Sequence, residues 1–366
     1  MRYYIIAGEA SGDLHGSNLI KALKEKDPAA EMRCWGGDKM EAAGATVIKH
    51  YRELAFMGFV EVLKNLRTIF RNIDFCKKDI GLYQPDALIL IDYPGFNLRI
   101  AKWAREQGLK VIYYISPQVW AWKANRVKSM KQCIDKMICI LPFEKTYYKE
   151  KWNWEVEYVG HPLVEVVDAF QQQHPSNEAS KQIALLPGSR QQEILKKLPV
   201  MLQVASHFPG YHFVVAKAPG LEAAFYDGLL APYPNVSSVL HKTYELLSNA
   251  DAALVTSGTA TLETALFGVP EVICYKGSPI SYHIAKRLIK IKFIGLVNLI
   301  MDKEVVKELI QDELTVENCV RELKALLFDE TRKAAVKKDY QDLKALLSQG
   351  GHASSNAANI IVDFLA

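Results

Sequence analysis

The chain contains no run approaching the roughly 20 apolar residues needed to span a bilayer. The apolar run before Gly8 has five residues, too short for a signal-peptide core. Charge of one sign is also scarce. The 45 Lys and Arg against 41 Asp and Glu leave a net charge of +4, which speaks against a dedicated nucleic-acid binder. Local basic patches can still meet anionic substrates or lipid headgroups. The six cysteines, Cys34, Cys76, Cys133, Cys139, Cys274 and Cys319, never fall at C-x-x-C spacing and mostly sit in apolar surroundings. They read as reduced core thiols of a cytosolic protein. Neither G-x-G-x-x-G nor G-x-x-x-x-G-K-[ST] occurs, so the two commonest nucleotide fingerprints lose their main support. No internal repeat or low-complexity tract is present. What remains is an ordinary globular composition, 49% hydrophobic and 23% charged over 366 residues, enough for two domains with cores of their own.

Strand-like and helix-like segments alternate along the chain. Apolar runs at 2–7, 86–91, 110–115, 136–140 and 155–159 are separated by helix-length stretches, the signature of a parallel sheet wound on both faces. Residues 167–181, with Gln171 to Asn177, are polar and read as a linker. A second alternation follows, with strands near 182–187, 211–216, 235–240, 251–256 and 270–275, then a helical tail from about 303. The sequence therefore predicts an α/β protein of two Rossmann-like, doubly wound domains in tandem. The first spans 1–166, the second 182–345, and a terminal helix covers 346–366. A cleft between two such domains is the default site for a large substrate.

Three loops carry the chemistry. The strand Tyr3 to Ala7 runs into Gly8-Glu9-Ala10-Ser11-Gly12-Asp13-Leu14-His15-Gly16, and Asn18 to Lys24 reads as helix. That places a glycine-rich turn with two carboxylates and a histidine where free backbone N–H groups favour anions. A tight turn capped by Asp13 is the plain structural alternative. In the second half, Leu186-Pro187-Gly188-Ser189-Arg190 ends a strand: glycine lets the backbone approach a ligand, Ser189 caps the helix, and Arg190 offers a fork suited to a diphosphate. Strand 251–255 ends in Thr256-Ser257-Gly258-Thr259-Ala260-Thr261-Leu262-Glu263, where small residues open a helix and Glu263 can accept ribose hydroxyls. Together the last two loops suggest a nucleoside diphosphate held by the second domain.

The opening Ala7-Gly8-Glu9-Ala10-Ser11-Gly12-Asp13 is followed by Ile91-Asp92-Tyr93-Pro94-Gly95-Phe96-Asn97, Ser116-Pro117-Gln118-Val119-Trp120-Ala121-Trp122, Leu141-Pro142-Phe143-Glu144, and the two loops just described. In this order they resemble lipid-A-disaccharide synthases over nearly the whole chain. The resemblance implies an inverting glycosyltransferase of the GT-B type. Its donor would be UDP-2,3-diacylglucosamine and its acceptor 2,3-diacylglucosamine 1-phosphate, giving a β-1′,6-linked disaccharide and UDP.

Such a displacement needs a base for the attacking hydroxyl and positive charge or dipoles for the departing diphosphate. Asp92 ends the strand Ala87 to Ile91 before Pro94 and fits the base; an Asx-type turn cap is its structural alternative. His15, titrating near neutrality, is its rival, and the resemblance favours Asp92. Glu9, Ser11, Asp13 and His15 are the acceptor-binding set. Gly188, Ser189, Arg190, Ser257, Gly258, Thr259, Ala260, Glu263, Asn298 and Gln311 form the donor-binding set, with Asn298 read as lying in a loop and Gln311 on a helix surface. Without Asp-x-Asp, His-Glu-x-x-His or a cysteine cluster, no metal site assembles from local motifs and no cofactor is expected.

Acylated sugars are reached from a membrane. Phe56, Met57, Phe59, Val60, Leu63, Lys64, Arg67, Phe70 and Arg71 fall on a basic amphipathic helix with more apolar residues than one buried stripe uses. A core helix packed on the sheet explains the same pattern. Residues 283–301 form a second basic and apolar stretch. These features imply peripheral association with an anionic membrane surface, on the inner face of the cytoplasmic membrane. Trp120 and Trp122 suit either a sugar or acyl pocket or simple core packing. Gly160-His161-Pro162 reads as a domain hinge. The terminal helix either returns to the first domain or is exchanged in a homodimer. A UDP-sugar epimerase of related fold and a non-catalytic lipid or nucleotide binding module are the rival classes. A dehydrogenase is more distant.

Overall fold

The computed structural model describes residues 1–54, 66–174, 180–218, 221–278, 282 and 292–366. These divide into two units, Met1–Pro162 with Leu347–Ala366, and Leu163–Leu346. The first is built on seven parallel strands in the order β3-β2-β1-β4-β5-β6-β7. They are β1 (Arg2–Ala7), β2 (Glu31–Gly36), β3 (Thr46–His50), β4 (Ala87–Ile91), β5 (Lys110–Tyr114), β6 (Lys136–Cys139) and β7 (Glu157–Tyr158). β1 and β4 are continuous apolar runs, buried along their length from Tyr3 and Ala87 onward, as strands covered on both faces must be. The order reverses between them, and Ala7 lies opposite Ile91. The loops leaving these two strands are therefore neighbours at the switch point, where open α/β sheets bind ligands.

Two strands of this sheet went unread in the sequence. β2 is interrupted by Arg33, whose charge hides the strand; Asp79, 46 residues away, takes its guanidinium through bonds of 3.0 and 2.6 Å. Asp79 also accepts from the Tyr4 hydroxyl at 2.7 Å, and Tyr4 accepts from Trp35 Nε1 at 2.9 Å. The buried charge is thus paired and hydrogen-bonded, as burial requires. β3 lies at the sheet edge and is only half-buried.

The second unit holds six parallel strands in the order β10-β9-β8-β11-β12-β13. These are β8 (Gln182–Leu186), β9 (His212–Lys217), β10 (Val236–Leu240), β11 (Ala252–Thr256), β12 (Glu271–Tyr275) and β13 (Glu308–Ile310). Its switch point lies between β8 and β11, with Leu186 opposite Val255. The tail from 303 is not purely helical, because β13 pairs with β12 before the helices begin. Nor is 167–181 linker throughout. A helix covers Pro162–Gln173, anchored by buried Val167 and by Phe170 against Tyr244 and Phe267.

The chain then returns to the first unit. Leu347 O accepts from the His161 N–H at 3.2 Å, and the helix Ala353–Leu365 lies against the helix Ala10–Lys26. Gly160, at φ +91°, packs so tightly here that a Cβ on Gly350 would come within 2.2 Å of its nitrogen. All six cysteines are free and buried. No described helix is long and apolar enough to cross a membrane.

Candidate active site

At the first switch point the chain leaves β4 through two consecutive left-handed residues, Asp92 (φ +44°) and Tyr93 (φ +48°). Such conformations cost of order 1–3 kcal/mol each and persist only where the surroundings fix them. Here Asn97 Nδ2 donates to the carbonyls of Ile91 at 3.2 Å and Asp92 at 2.8 Å, and the Tyr113 hydroxyl donates to Asp92 O at 2.5 Å. The Tyr93 ring fills the space above Gly8, where a Cβ would sit 2.4 Å from it. The backbone carbonyl is clamped and the Asp92 carboxylate is left to act. Burial, and then the negative charge of Glu9, push its pKa from 3.8 to about 7, against a hydrogen bond from the Tyr93 N–H.

The glycine-rich segment differs from the expected turn. The helix begins at Ala10, so Ser11, Gly12, Asp13, His15 and Gly16 are helical. Asp13 does not cap this helix. Its buried carboxylate accepts from the N–H groups of Gly37 at 2.8 Å, Lys39 at 3.2 Å and Met40 at 3.1 Å, capping the short helix Asp38–Ala42. Its carboxylate is therefore engaged within the fold. His15 is buried with Nδ1 unpartnered among the described residues, and burial followed by the Lys39 charge lowers its pKa to about 4. His161 is lowered to about 3, by burial first and His15 second. Burial disfavours the protonated form of each imidazole. Of the two candidates, Asp92 is shifted towards neutrality and His15 away from it.

The segment Ser116 to Trp122 is held from beneath. Buried Glu144 accepts from Trp120 Nε1 at 3.1 Å and from the Leu141 N–H at 3.1 Å. Burial raises its pKa to about 7 despite these bonds. Ser116 Oγ meets the Tyr148 hydroxyl at 2.7 Å, and Trp120 packs edge-on against Phe143. Trp120 is thus a packing residue, whereas Trp122 is 46% exposed.

In the second unit Gly188 (φ +114°) and Gly258 (φ +149°) adopt backbone geometry that side chains rarely tolerate, at the ends of β8 and β11. Thr256 Oγ1 donates to Pro187 O at 3.2 Å and ties the two loops together. The N-cap of the helix Gln191–Ala205 is Arg190 rather than Ser189, with no side-chain cap. Arg190 is exposed and bridges to Glu193 at 3.2 Å. Glu193 also pairs with Lys197 at 3.6 Å, a buried cation that burial drives down in pKa while Glu193 opposes. Sequence reasoning missed Lys197, although a lysine in the apolar stripe of Ile194, Leu198 and Met201 was a visible signal. Gly258 and Thr259 are exposed at the start of the helix Thr259–Leu266, with Ala260 half-buried. Ser257 Oγ donates to Ile294 O at 3.0 Å, and Glu263 accepts from the Tyr244 hydroxyl at 2.8 Å.

Asn298 is not in a loop but on the buried helix Leu296–Met301. Its Nδ2 donates to Val306 O at 2.8 Å and Glu308 Oε1 at 2.9 Å, and its Oδ1 accepts from the Val305 and Val306 N–H groups at 2.8 and 3.0 Å. The amide is used up within the fold and offers nothing to a donor. Gln311 lies not on a helix surface but in a 3-10 turn after β13, at φ +56°, with Oε1 accepting from the Gly277 N–H at 2.7 Å. Of the membrane-facing set, Phe56, Met57, Phe59, Val60, Leu63 and Lys64 lie outside the described residues. Arg67, Phe70 and Arg71 are exposed on the helix Leu66–Tyr83, whose other face buries Ile73, Cys76 and Ile80. Of the stretch 283–301, residues 283–291 also lie outside the described residues. Among the described residues no cluster of three or more His, Cys, Asp or Glu side chains could hold a metal ion.

Two parallel α/β units, each with a loop pair at its switch point, define the GT-B class of glycosyltransferase fold. The glycotransferase of kitacinnamycin shares it, with a TM-score of 0.70 at 13% identity over 100% of this chain and 99% of that one. So does the UDP-GlcNAc 2-epimerase of Neisseria meningitidis, at 0.66 and 13% over 100% and 99%. Sequence narrows the class further: residues 3–362 match the lipid-A-disaccharide synthetase family. The lipid-A-disaccharide synthase of Geobacter metallireducens is 39% identical over 375 residues, covering 100% of this chain and 97% of the relative. Lipid-A-disaccharide synthase 1 of Legionella pneumophila is 41% identical over 327 residues, covering 85% and 84%. The chain belongs to the lipid-A-disaccharide synthase family, and it is a glycosyltransferase.

Proposed function

We propose that the protein transfers 2,3-diacylglucosamine from its UDP ester to the 6-hydroxyl of 2,3-diacylglucosamine 1-phosphate, with inversion at the anomeric carbon. Asp92 takes the proton of the attacking hydroxyl as the new glycosidic bond forms. The bond from the anomeric carbon to the diphosphate breaks, and UDP leaves with its electron pair. Glu9 sits close enough to tune Asp92, and Ser11 is available to acceptor hydroxyls. The observation that carries this reading is the Asp92 carboxylate, held at a switch point in a strained turn with its ionisation moved to about 7. The test is incubation of the protein with both acylated sugars, following UDP and disaccharide phosphate by mass spectrometry.

Arg190, backed by Lys197 and by the backbone of Gly188, Ser189, Gly258 and Thr259, stabilises the departing diphosphate. Binding UDP requires Arg190 to exchange its exposed bridge to Glu193 for phosphate oxygens, a small cost because exposed pairs are weak. Replacing Arg190 by Ala should lower kcat/KM for the donor about 10- to 100-fold through the lost charge-assisted bonds. Unchanged donor kinetics would remove it from the site.

The donor and acceptor both carry acyl chains, and the protein reaches them as a peripheral protein on an anionic membrane face. Supporting this, Phe70 (54%) and Phe75 (46%) stand exposed on the same helix as Arg67 and Arg71. Charge reversal at Lys64, Arg67 and Arg71 should weaken binding to phosphatidylglycerol vesicles severalfold per residue, from about 1 kcal/mol per charge. Equal vesicle binding with unchanged thermal unfolding would dismiss this face.

A further inference from the structure

The segment after β5 is bracketed by two left-handed residues, Ile115 (φ +67°) and Lys123 (φ +58°). For a β-branched residue such a φ is a true outlier, and strain of this kind gathers at functional sites. Between the brackets the loop is anchored to the fold. Trp120 is pinned by Glu144, and Val119 and Ala121 are buried. What this frame presents outward is Trp122, with Lys123 Nζ 4.0 Å from its ring centroid and the Arg126 guanidinium 6.0 Å from the same centroid.

Two cations gathered around one aromatic ring repel each other. Among the described residues, neither Lys123 nor Arg126 has an ion pair to a carboxylate. The Lys123 ammonium is held below its ordinary pKa, by burial first and by Arg126 second. An anion received between them would relieve the repulsion, while the ring fixes both cations at little cost in side-chain entropy. The position is close to the proposed chemistry. Arg126 acts on the ionisation of the Tyr113 phenol, and that hydroxyl holds the Asp92 carbonyl.

We propose that Lys123 and Arg126, carried on the Trp122 ring, form a binding site for a phosphate group in the first unit. This rests on the transferase reading in one respect: the phosphate in question is the 1-phosphate of the acceptor. A phospholipid headgroup offers the same chemistry. Arg126 supplies the planar fork, Lys123 the mobile point charge, and a phosphate monoester accepts from both. The reducing-end phosphate is thereby anchored on the same sheet edge as the base, and its hydroxyl is presented from a fixed point.

The test compares wild type with Lys123→Gln, Arg126→Gln and the double variant, with Lys128→Gln as a control on the helix Arg126–Cys133. Lys123→Arg serves as the conservative replacement. Calorimetric titration with glucosamine 1-phosphate, with glucosamine and with UDP, and sedimentation with phosphatidylglycerol vesicles, provide the arms. The expected result is a Kd for glucosamine 1-phosphate raised about 10- to 100-fold per variant. UDP binding should be unchanged, glucosamine insensitive, Lys128→Gln silent and Lys123→Arg close to wild type. Wild-type affinity for glucosamine 1-phosphate and for vesicles in the double variant would overturn the site. Loss confined to vesicles would uphold a phosphate site and overturn its assignment to the acceptor. Failure of the wild-type protein to form disaccharide would overturn the transferase reading alone, because the titrations report binding without turnover.

Discussion

Asp92→Asn should lower kcat by about 10²- to 10⁴-fold, the usual contribution of a positioned general base, with little change in UDP affinity. The amide keeps the shape of the carboxylate and its tolerance of a left-handed backbone, so the turn held by Asn97 and Tyr113 stays intact. Only the capacity to take a proton is lost. The pH profile gives a second, independent reading. Asp92 works deprotonated, and its pKa is raised to about 7, so kcat/KM should climb with pH up to a plateau just above neutrality. Glu9→Gln removes the negative charge that ranks second to burial in raising that value. Its acid limb should therefore move to lower pH, leaving burial to keep it above the ordinary carboxylate range. A profile unmoved by Glu9→Gln, or an Asp92→Asn enzyme with wild-type kcat, would rule out Asp92 as the base.

Asp13→Ala should destabilise the protein by about 3 kcal/mol, and the damage should appear in unfolding rather than in turnover. Three N–H groups at the start of the helix Asp38–Ala42 lose their acceptor together, two of them in buried surroundings. Asp13→Asn, which retains one acceptor oxygen, should fall between. The readout is denaturant unfolding followed by Trp fluorescence, alongside kcat and acceptor KM measured at a temperature where the variant is folded. A raised acceptor KM with unchanged unfolding would restore Asp13 to the acceptor site, where the motif alone had placed it.

That contrast marks the boundary of what the sequence makes legible. β1, β4, β8 and β11 are visible because strands buried on both faces have to be apolar throughout. The loops that follow them are visible for the same reason, since a switch point must lie where such runs stop. β2 is hidden because its charge is satisfied by Asp79, and nothing local announces a partner 46 residues away. The helix start at Ala10 is hidden because Ser11, Gly12 and Asp13 look like turn residues, and only the Gly37 to Met40 backbone explains what the aspartate does. Asn298 fails similarly: an amide serving four buried backbone and carboxylate partners has the same letter as one facing a ligand. The Lys123, Trp122 and Arg126 group stayed out of view because it depends on the left-handed backbone at Lys123.

The tail Leu347–Ala366 belongs with Met1–Pro162 although the whole of Leu163–Leu346 is made in between. During synthesis the first sheet can assemble, but the face of the helix Ala10–Lys26 that takes the helix Ala353–Leu365 stays bare until those residues have been made. The later unit is free to mature while the earlier one is still waiting. Vectorial production, which normally lets a leading domain fold first, here makes it the last to be finished. A nascent chain halted before Leu347 would leave that face of the helix uncovered.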